Sequence, residues 1–205
     1  MIYLSGAVKK QIMLEPDFGF LLTPHIGNRL PEGATWAADT GCFRHPESFN
    51  LDAYLRWMDR KGPRASSLFA NAPDVVGDHE RTIDASEHAL IWLLREGWKP
   101  SFVAQNGATL GNMPWEWFDA LFIGGSIAWK ESYEASALMI EAKRRGKHVH
   151  VGRVNTPERM RYAASAGADS VDGTRLAFGF NANWPFLRDS LRCINNQLSF
   201  SLAAA

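Results

Sequence analysis

Cysteine is scarce: Cys42 and Cys193 are the two in 205 residues. A disulfide framework and a four-cysteine zinc site are thereby excluded. Net charge is missing too. Lysine plus arginine is 22 and aspartate plus glutamate is 22, so the formal net charge is zero. That excludes a globally basic nucleic-acid binder; any such role needs a local basic patch. No stretch approaches ~18 consecutive apolar residues, so no membrane span is expected. The opening MIYLSGAVKK places its charges after its apolar residues, the wrong order for a secretory signal, and a soluble cytoplasmic protein is expected. No GxGxxG follows the first apolar run, which reads Leu4-Ser5-Gly6-Ala7; an open doubly wound sheet usually carries one. No internal repeat, low-complexity tract or linker breaks the chain, so one domain over residues 1–205 is expected.

What is there is a globular composition, 46% hydrophobic and 12% aromatic, which excludes a mostly disordered chain. Short apolar runs alternate with amphipathic stretches. Strands are expected at Ile2–Leu4, Phe18–Leu22, Thr35–Ala38, Ser67–Ala70, Phe102–Gln105, Ala120–Ile123, His148–Gly152 and Asp169–Val171. Several are apolar at every position, as strands buried on both faces are. Helices are expected at Leu51–Arg60, His79–Glu96, Ser132–Arg145, from Thr156 to about Gly167, and from about Pro185 to Gln197. Gly146 reads as a C-cap, Thr156 as an N-cap and Pro157 as a first helical residue. Strand–helix alternation implies a parallel sheet. Eight strands suggest a compact (β/α)8 TIM-type barrel, near the ~200-residue lower limit of that fold, with some N-terminal helices shortened or missing.

In such a barrel the reactive residues project from the C-terminal strand ends. That rule nominates Asp39, Asp78, Gln105, Gly124, Gly125, Arg153 and Asp172. Paired carboxylates can divide the work, one as nucleophile and one as acid/base; at an anomeric carbon this is retaining glycosyl chemistry. A glutamine with a carboxylate can read a purine edge, and a Gly-Gly pair lets a flat ligand approach the main chain. Each residue also has a plainer reading. Asp39, Gln105, Gly124-Gly125 and Asp172 could each simply serve a turn. Asp78 alone reads best as a helix N-cap, and His150 as a packed histidine. The eight tryptophans are mostly core, with Trp115, Trp117 and Trp129 near the expected rim as stacking candidates.

At these residues the sequence resembles the tRNA-guanine transglycosylase superfamily, and within it the small phage and bacterial relatives that insert 7-deazaguanines into DNA. The resemblance runs collinearly from about Trp36 to Thr174. Ala38-Asp39-Thr40-Gly41-Cys42-Phe43 resembles the element with the acid/base aspartate, which implies that role for Asp39. Asp74-Val75-Val76-Gly77-Asp78 resembles the strand with a base-reading aspartate; Asp78 is the better match and Asp74 the alternative. Val103-Ala104-Gln105-Asn106-Gly107 and Phe122-Ile123-Gly124-Gly125 resemble the base-contacting glutamine and backbone elements. His150-Val151-Gly152-Arg153-Val154-Asn155-Thr156-Pro157-Glu158 resembles the family's Met-Gly-Val-Gly-Thr-Pro-Glu segment. Gly167-Ala168-Asp169-Ser170-Val171-Asp172 resembles the element ending in the nucleophile, which implies that role for Asp172.

The resemblance implies a (β/α)8 barrel that exchanges guanine in nucleic acid for a free 7-deazaguanine base such as preQ0, through a covalent aspartyl–sugar intermediate. Lys130, Arg153 and Arg175 are the expected phosphate contacts. The departures matter as well. The tRNA enzymes hold zinc with three C-terminal cysteines and a histidine, whereas this chain has only Cys193 there and no matching histidine. No metal or cofactor is therefore expected, and DNA is the expected partner ahead of tRNA. A homodimer is compatible with the family. Two other classes fit the same rim. One is a barrel enzyme for a small phosphorylated substrate, using the Gly152-Arg153 loop and the helix from Thr156 as its anion site. The other is a catalytically inert purine- or nucleic-acid-binding module.

Overall fold

Alternate residues of a strand face opposite sides, and this chain has buried residues on both. The computed structural model describes all residues except Val8, Ile26, Asn28, 43–45 and 204–205; of Pro46 and 198–203 it describes the backbone. Phe43 of the first motif lies outside the described residues. Eight strands run β1 (Ile2–Ser5), β2 (Phe18–Leu22), β3 (Trp36–Ala38), β4 (Ser67–Asn71), β5 (Pro100–Ala104), β6 (Ala120–Ile123), β7 (His148–Val151) and β8 (Ser170–Gly173). Each pairs in parallel with the next, and β1 pairs with β8, so the sheet closes into a (β/α)8 barrel.

Among the described residues six α-helices accompany the strands: α1 (Leu51–Lys61), α2 (His79–Arg95), α3 (Ile127–Lys130), α4 (Tyr133–Arg144), α5 (Pro157–Ser165) and α6 (Phe180–Ala203). A 3-10 turn, Lys10–Leu14, follows β1, and no helix stands among the described residues between β2 and β3. The first two connections are therefore shortened, and so is the one between β5 and β6, where a 3-10 turn, Trp115–Trp117, stands in place of an α-helix. Caps set the helix starts: Asn50, Asp78, Ser126, Ser132 and Thr156 each accept a backbone N–H with the side chain. Gly146 closes α4 at φ +71, a left-handed conformation that costs glycine nothing.

α6 begins earlier than the apolar pattern suggests, at Phe180 rather than Pro185. Trp184 packs on Phe18 of β2 and stacks on Phe180, with ring centroids 4.8 and 5.2 Å apart. That packing holds the extra turn although Pro185 removes a backbone donor inside it.

The main core lies between sheet and helices, with Phe20, Trp36, Phe102, Leu121, Leu138 and Leu191 among its buried members. The cluster of Leu4, Ala37, Phe69 and Ala120 is the smaller one. These four belong to the inward alternation of β1, β3, β4 and β6. Barrel interiors are usually filled by layers of branched apolar residues. Here His150, Ser170 and Ser101 are fully buried on the strands as well. Buried polar side chains thus stand on β5, β7 and β8 alongside the apolar ones.

Candidate active site

One cavity opens at the C-terminal ends of the strands. Its wall includes Asp39, Asn71, Asp74, Gln105, Gly124, Gly125, Lys130, Arg153 and Asp172. It holds about 140 Å³, less than the roughly 300–1,000 Å³ of pockets for drug-sized ligands. A single small ring system suits it.

The carboxylates come from opposite halves of the chain. Asp39 follows β3, and its backbone N–H donates to Leu22 O at 2.8 Å, which ties it to β2. Its Oδ1 accepts from Asn71 Nδ2 at 3.1 Å. Burial first, and then the nearby Asp172 charge, raise its carboxyl above the ordinary carboxylate range, against the lowering effect of Asn71. A carboxyl raised in this way is better suited than an ordinary one to pass a proton to a leaving group.

Asp172 stands within β8, paired with Leu4 of β1. Its Oδ1 accepts from the backbone N–H of Arg153 at 3.1 Å, and its Oδ2 lies 3.0 Å from His150 Nε2. Arg153 has φ 57, the left-handed conformation, alone among the described non-glycine residues. Strain of that kind persists where surroundings impose it. Here the turn brings the Arg153 N–H onto the carboxylate.

A hydrogen-bonded carboxylate–amide pair lines the same cavity. Gln105 Nε2 donates to Asp74 Oδ2 at 2.6 Å, and Gln105 Oε1 accepts from Gly77 N at 2.9 Å. Asp74 is pushed up to about 6 by burial and by the neighbouring Asp39 charge. Gly124 is required by this arrangement. A Cβ there would stand 2.7 Å from Gln105 Nε2 and 3.1 Å from Ala104 O.

Two of the residues nominated on the sequence lie elsewhere. Asp78 is not in the cavity wall; its Oδ1 accepts from Arg81 N at 3.1 Å as the N-cap of α2. Asp74 takes the wall position. The loop between Asn71 and α2 bends back, held by Val75 N donating to Thr82 Oγ1 at 2.9 Å. Arg175 is half-buried and engaged, with Nε donating to Asn183 Oδ1 at 3.0 Å, Nη1 donating to Asn155 O at 3.2 Å and Phe186 beneath its guanidinium. Lys130 lines the cavity but is not a surface group. It is 7% exposed, and Nζ donates to Gly152 O at 2.6 Å. Burial lowers it to about 8. Arg153, exposed at the mouth, is the outward cation of the three.

The tryptophans divide similarly. Trp115 and Trp117 directly precede β6 and so sit at the opposite end of the barrel, where Trp115 packs under Arg145 at 4.8 Å. Trp129 is at the mouth, against Gly125. Sequence reasoning missed Asn71. It ends β4 in the cavity wall, and its Oδ1 is buried without a hydrogen-bond partner. Its position at a strand end was the available signal.

No protein-family model matches the chain, and no curated protein does. Among solved structures, a glycerophosphodiester phosphodiesterase from Parabacteroides distasonis is similar over 89% of this chain and 60% of its own, at 10% identity and a TM-score of 0.51. The tryptophan synthase complex from Pyrococcus furiosus is similar over 87% of this chain and 64% of its own, at 13% identity and a TM-score of 0.46. The chain thus spans less than two thirds of either. At such identities the likeness is one of fold, the (β/α)8 barrel. No described helix is long and apolar enough to cross a membrane.

Proposed function

We propose that the protein is a guanine transglycosylase acting on nucleic acid, with DNA the expected polymer. The observation that carries this reading is the shared cavity. Asp39 and Asp172 line it together with the hydrogen-bonded Asp74–Gln105 pair. Two acids can serve the two sides of a glycosidic bond, and a carboxylate–amide edge complements a guanine. The collinear motifs resembling the transglycosylase superfamily support the same assignment.

The target nucleotide is extruded into the cavity, since its C1′ and base edge are otherwise unreachable. The Asp172 carboxylate attacks C1′. The bond from C1′ to N9 breaks, and its electron pair leaves with the guanine. Asp39 supplies the proton that neutralises the departing base. Asp74 accepts from the guanine N1–H and 2-amino groups, while Gln105 and the Gly124-Gly125 backbone face its O6. The incoming 7-deazaguanine gives its N9 proton to Asp39 and attacks C1′, releasing Asp172. Two displacements retain the configuration at C1′. Each residue named is a side chain or backbone group of this chain, and the reaction as written needs no metal or cofactor.

The test is exchange of labelled guanine into duplex DNA and into tRNA, with candidate deazaguanines, read by mass spectrometry of the nucleosides. Exchange by the wild type is expected, with a loss of at least about 10³-fold in Asp172→Asn at unchanged melting temperature. Full exchange by that variant removes Asp172 from its role. No exchange of any base by the wild type defeats the reading.

A further inference from the structure

Beneath Asp172, inside the barrel, lies a set of polar side chains that base exchange as described leaves idle. His150 Nε2 is 3.0 Å from Asp172 Oδ2. The other ring nitrogen, Nδ1, is 2.8 Å from Ser170 Oγ, and His148 Nε2 is 2.8 Å from that same hydroxyl. Register explains the meeting, because His150 of β7 pairs with Ser170 of β8. His150 and Ser170 are both fully buried. Phe69 and Phe122 pack on the His150 ring with centroids 5.1 and 4.5 Å away, and Phe69 also flanks His148 at 5.5 Å. Three polar groups are therefore held in fixed positions between aromatic walls.

Counting protons gives the chain a direction. A carboxylate only accepts, so the His150 nitrogen facing Asp172 carries the proton and donates. With one N–H on the ring, Nδ1 accepts, and its donor is the Ser170 hydroxyl. The Ser170 oxygen then accepts from His148 Nε2. Burial pushes His148 down to about 4, so at neutral pH it has a single N–H to offer. The reverse polarity would aim the His150 Nε2 lone pair at a carboxylate oxygen, a repulsion that costs more in a buried site than in water.

We infer that the His148–Ser170–His150 chain is a positioning device for Asp172, presenting one N–H to Oδ2 while the Arg153 backbone holds Oδ1. This rests on the base-exchange reading. Neither oxygen can then swing away from the sugar, and each keeps lone pairs for the attack. The same donor serves the second displacement. There the bond from the Asp172 oxygen to C1′ breaks, the electron pair returns to the carboxylate, and the His150 N–H meets the growing charge. Ser170 acts at one remove: it commits His150 to the tautomer that can donate. A serine holding a histidine tautomer through its far nitrogen is the logic of the orienting group in hydrolase triads, here applied to a carboxylate.

The experiment uses the full chain in two measurements. The first is guanine exchange by the wild type, Ser170→Ala, His150→Gln and His150→Phe. Ser170→Ala is expected to lower kcat about 10²-fold, the cost of a misaligned reacting group, with KM unchanged. His150→Gln, which keeps an N–H donor, is expected to exceed His150→Phe in rate. The second is 1H–15N correlation of the histidine rings in the wild type, which needs no variant to fold. Both His148 and His150 are expected as Nε2–H tautomers. Wild-type rates in Ser170→Ala and His150→Phe overturn the positioning role while leaving base exchange intact. An Nδ1–H His150, or a ring protonated at both nitrogens, overturns the chain's direction. If the wild type exchanges no base, the functional reading falls, and the tautomers alone then sustain or refute the chain.

Discussion

Asp74 shows what a cavity residue does to stability. Its carboxyl is raised from 3.8 to about 6, by burial first and then by the Asp39 charge. The folded protein thus holds this proton more tightly than the unfolded chain. The group favours folding most below the ordinary carboxylate range, and that advantage is lost as pH rises from about 4 through about 6. Above that window the ionised, half-buried group costs up to about 3 kcal/mol. Asp74→Asn keeps an acceptor for Gln105 and removes the charge. Its melting temperature is expected to exceed the wild type's by several degrees at pH 7.5 and to match it at pH 4, as scanning calorimetry would show. Weaker guanine binding is the expected functional loss. An equal gain at both pH values would mean that charge burial is not the cause. At this scale, Asp39, Gln105 and Asp172 were legible because each ends or follows an apolar strand run. His150 was not: a lone histidine inside an apolar run reads as packing, and its bonds to Ser170 and Asp172 cross between strands.

The α2 element separates two aspartates that the motif left open. Asp78 caps the helix, and Thr82, one turn on, donates to Asp78 O at 2.7 Å while accepting from Val75 N. Losing the cap in Asp78→Ala is expected to cost about 1 kcal/mol, or roughly 2–4 °C in a domain of this size. The KM for guanine exchange is expected to stay at the wild-type value in that variant. A KM rise equal to that of Asp74→Asn would return base reading to Asp78. Helix starts were readable here because capping is a local contact between a side chain and the next turn, as at Thr156. The turn that Phe180 adds to α6 was not, since Phe18 of β2 supplies its packing partner, Trp184 supplies the contact, and the intervening chain is long. Trp115 and Trp117 were misplaced for a related reason: distance from a strand end says little about which end of the barrel a loop joins.

Across the whole molecule, charge and closure govern what the site can reach. With 22 cations against 22 anions, the formal net charge supplies no overall attraction for a polyanion, so the proposed base exchange in nucleic acid depends on contacts at the mouth. Arg153 is exposed there, whereas Lys130 is buried against Gly152 O and Arg175 is tied to Asn155 and Asn183. A salt titration of DNA binding, followed by fluorescence anisotropy, is expected to lose about one unit of log–log slope in Arg153→Ala. The slope in Lys130→Met is expected to equal the wild type's, and an unchanged slope in Arg153→Ala would move the phosphate contact elsewhere. Closure depends on the β1–β8 ladder, and Asn195 of α6 clasps the same seam through both the amine and the carbonyl of Met1. Run length and alternation were enough to set eight buried parallel strands and to nominate Asp39, Gln105, Gly124, Arg153 and Asp172, because a strand's period and its end are properties of neighbouring residues. Folding alone chose Asp74 over Asp78, withdrew Lys130 from the surface and joined His148, Ser170 and His150 beneath Asp172. Those outcomes are contacts between segments far apart along the chain, fixed by barrel register and burial, and no short window of residues contains them.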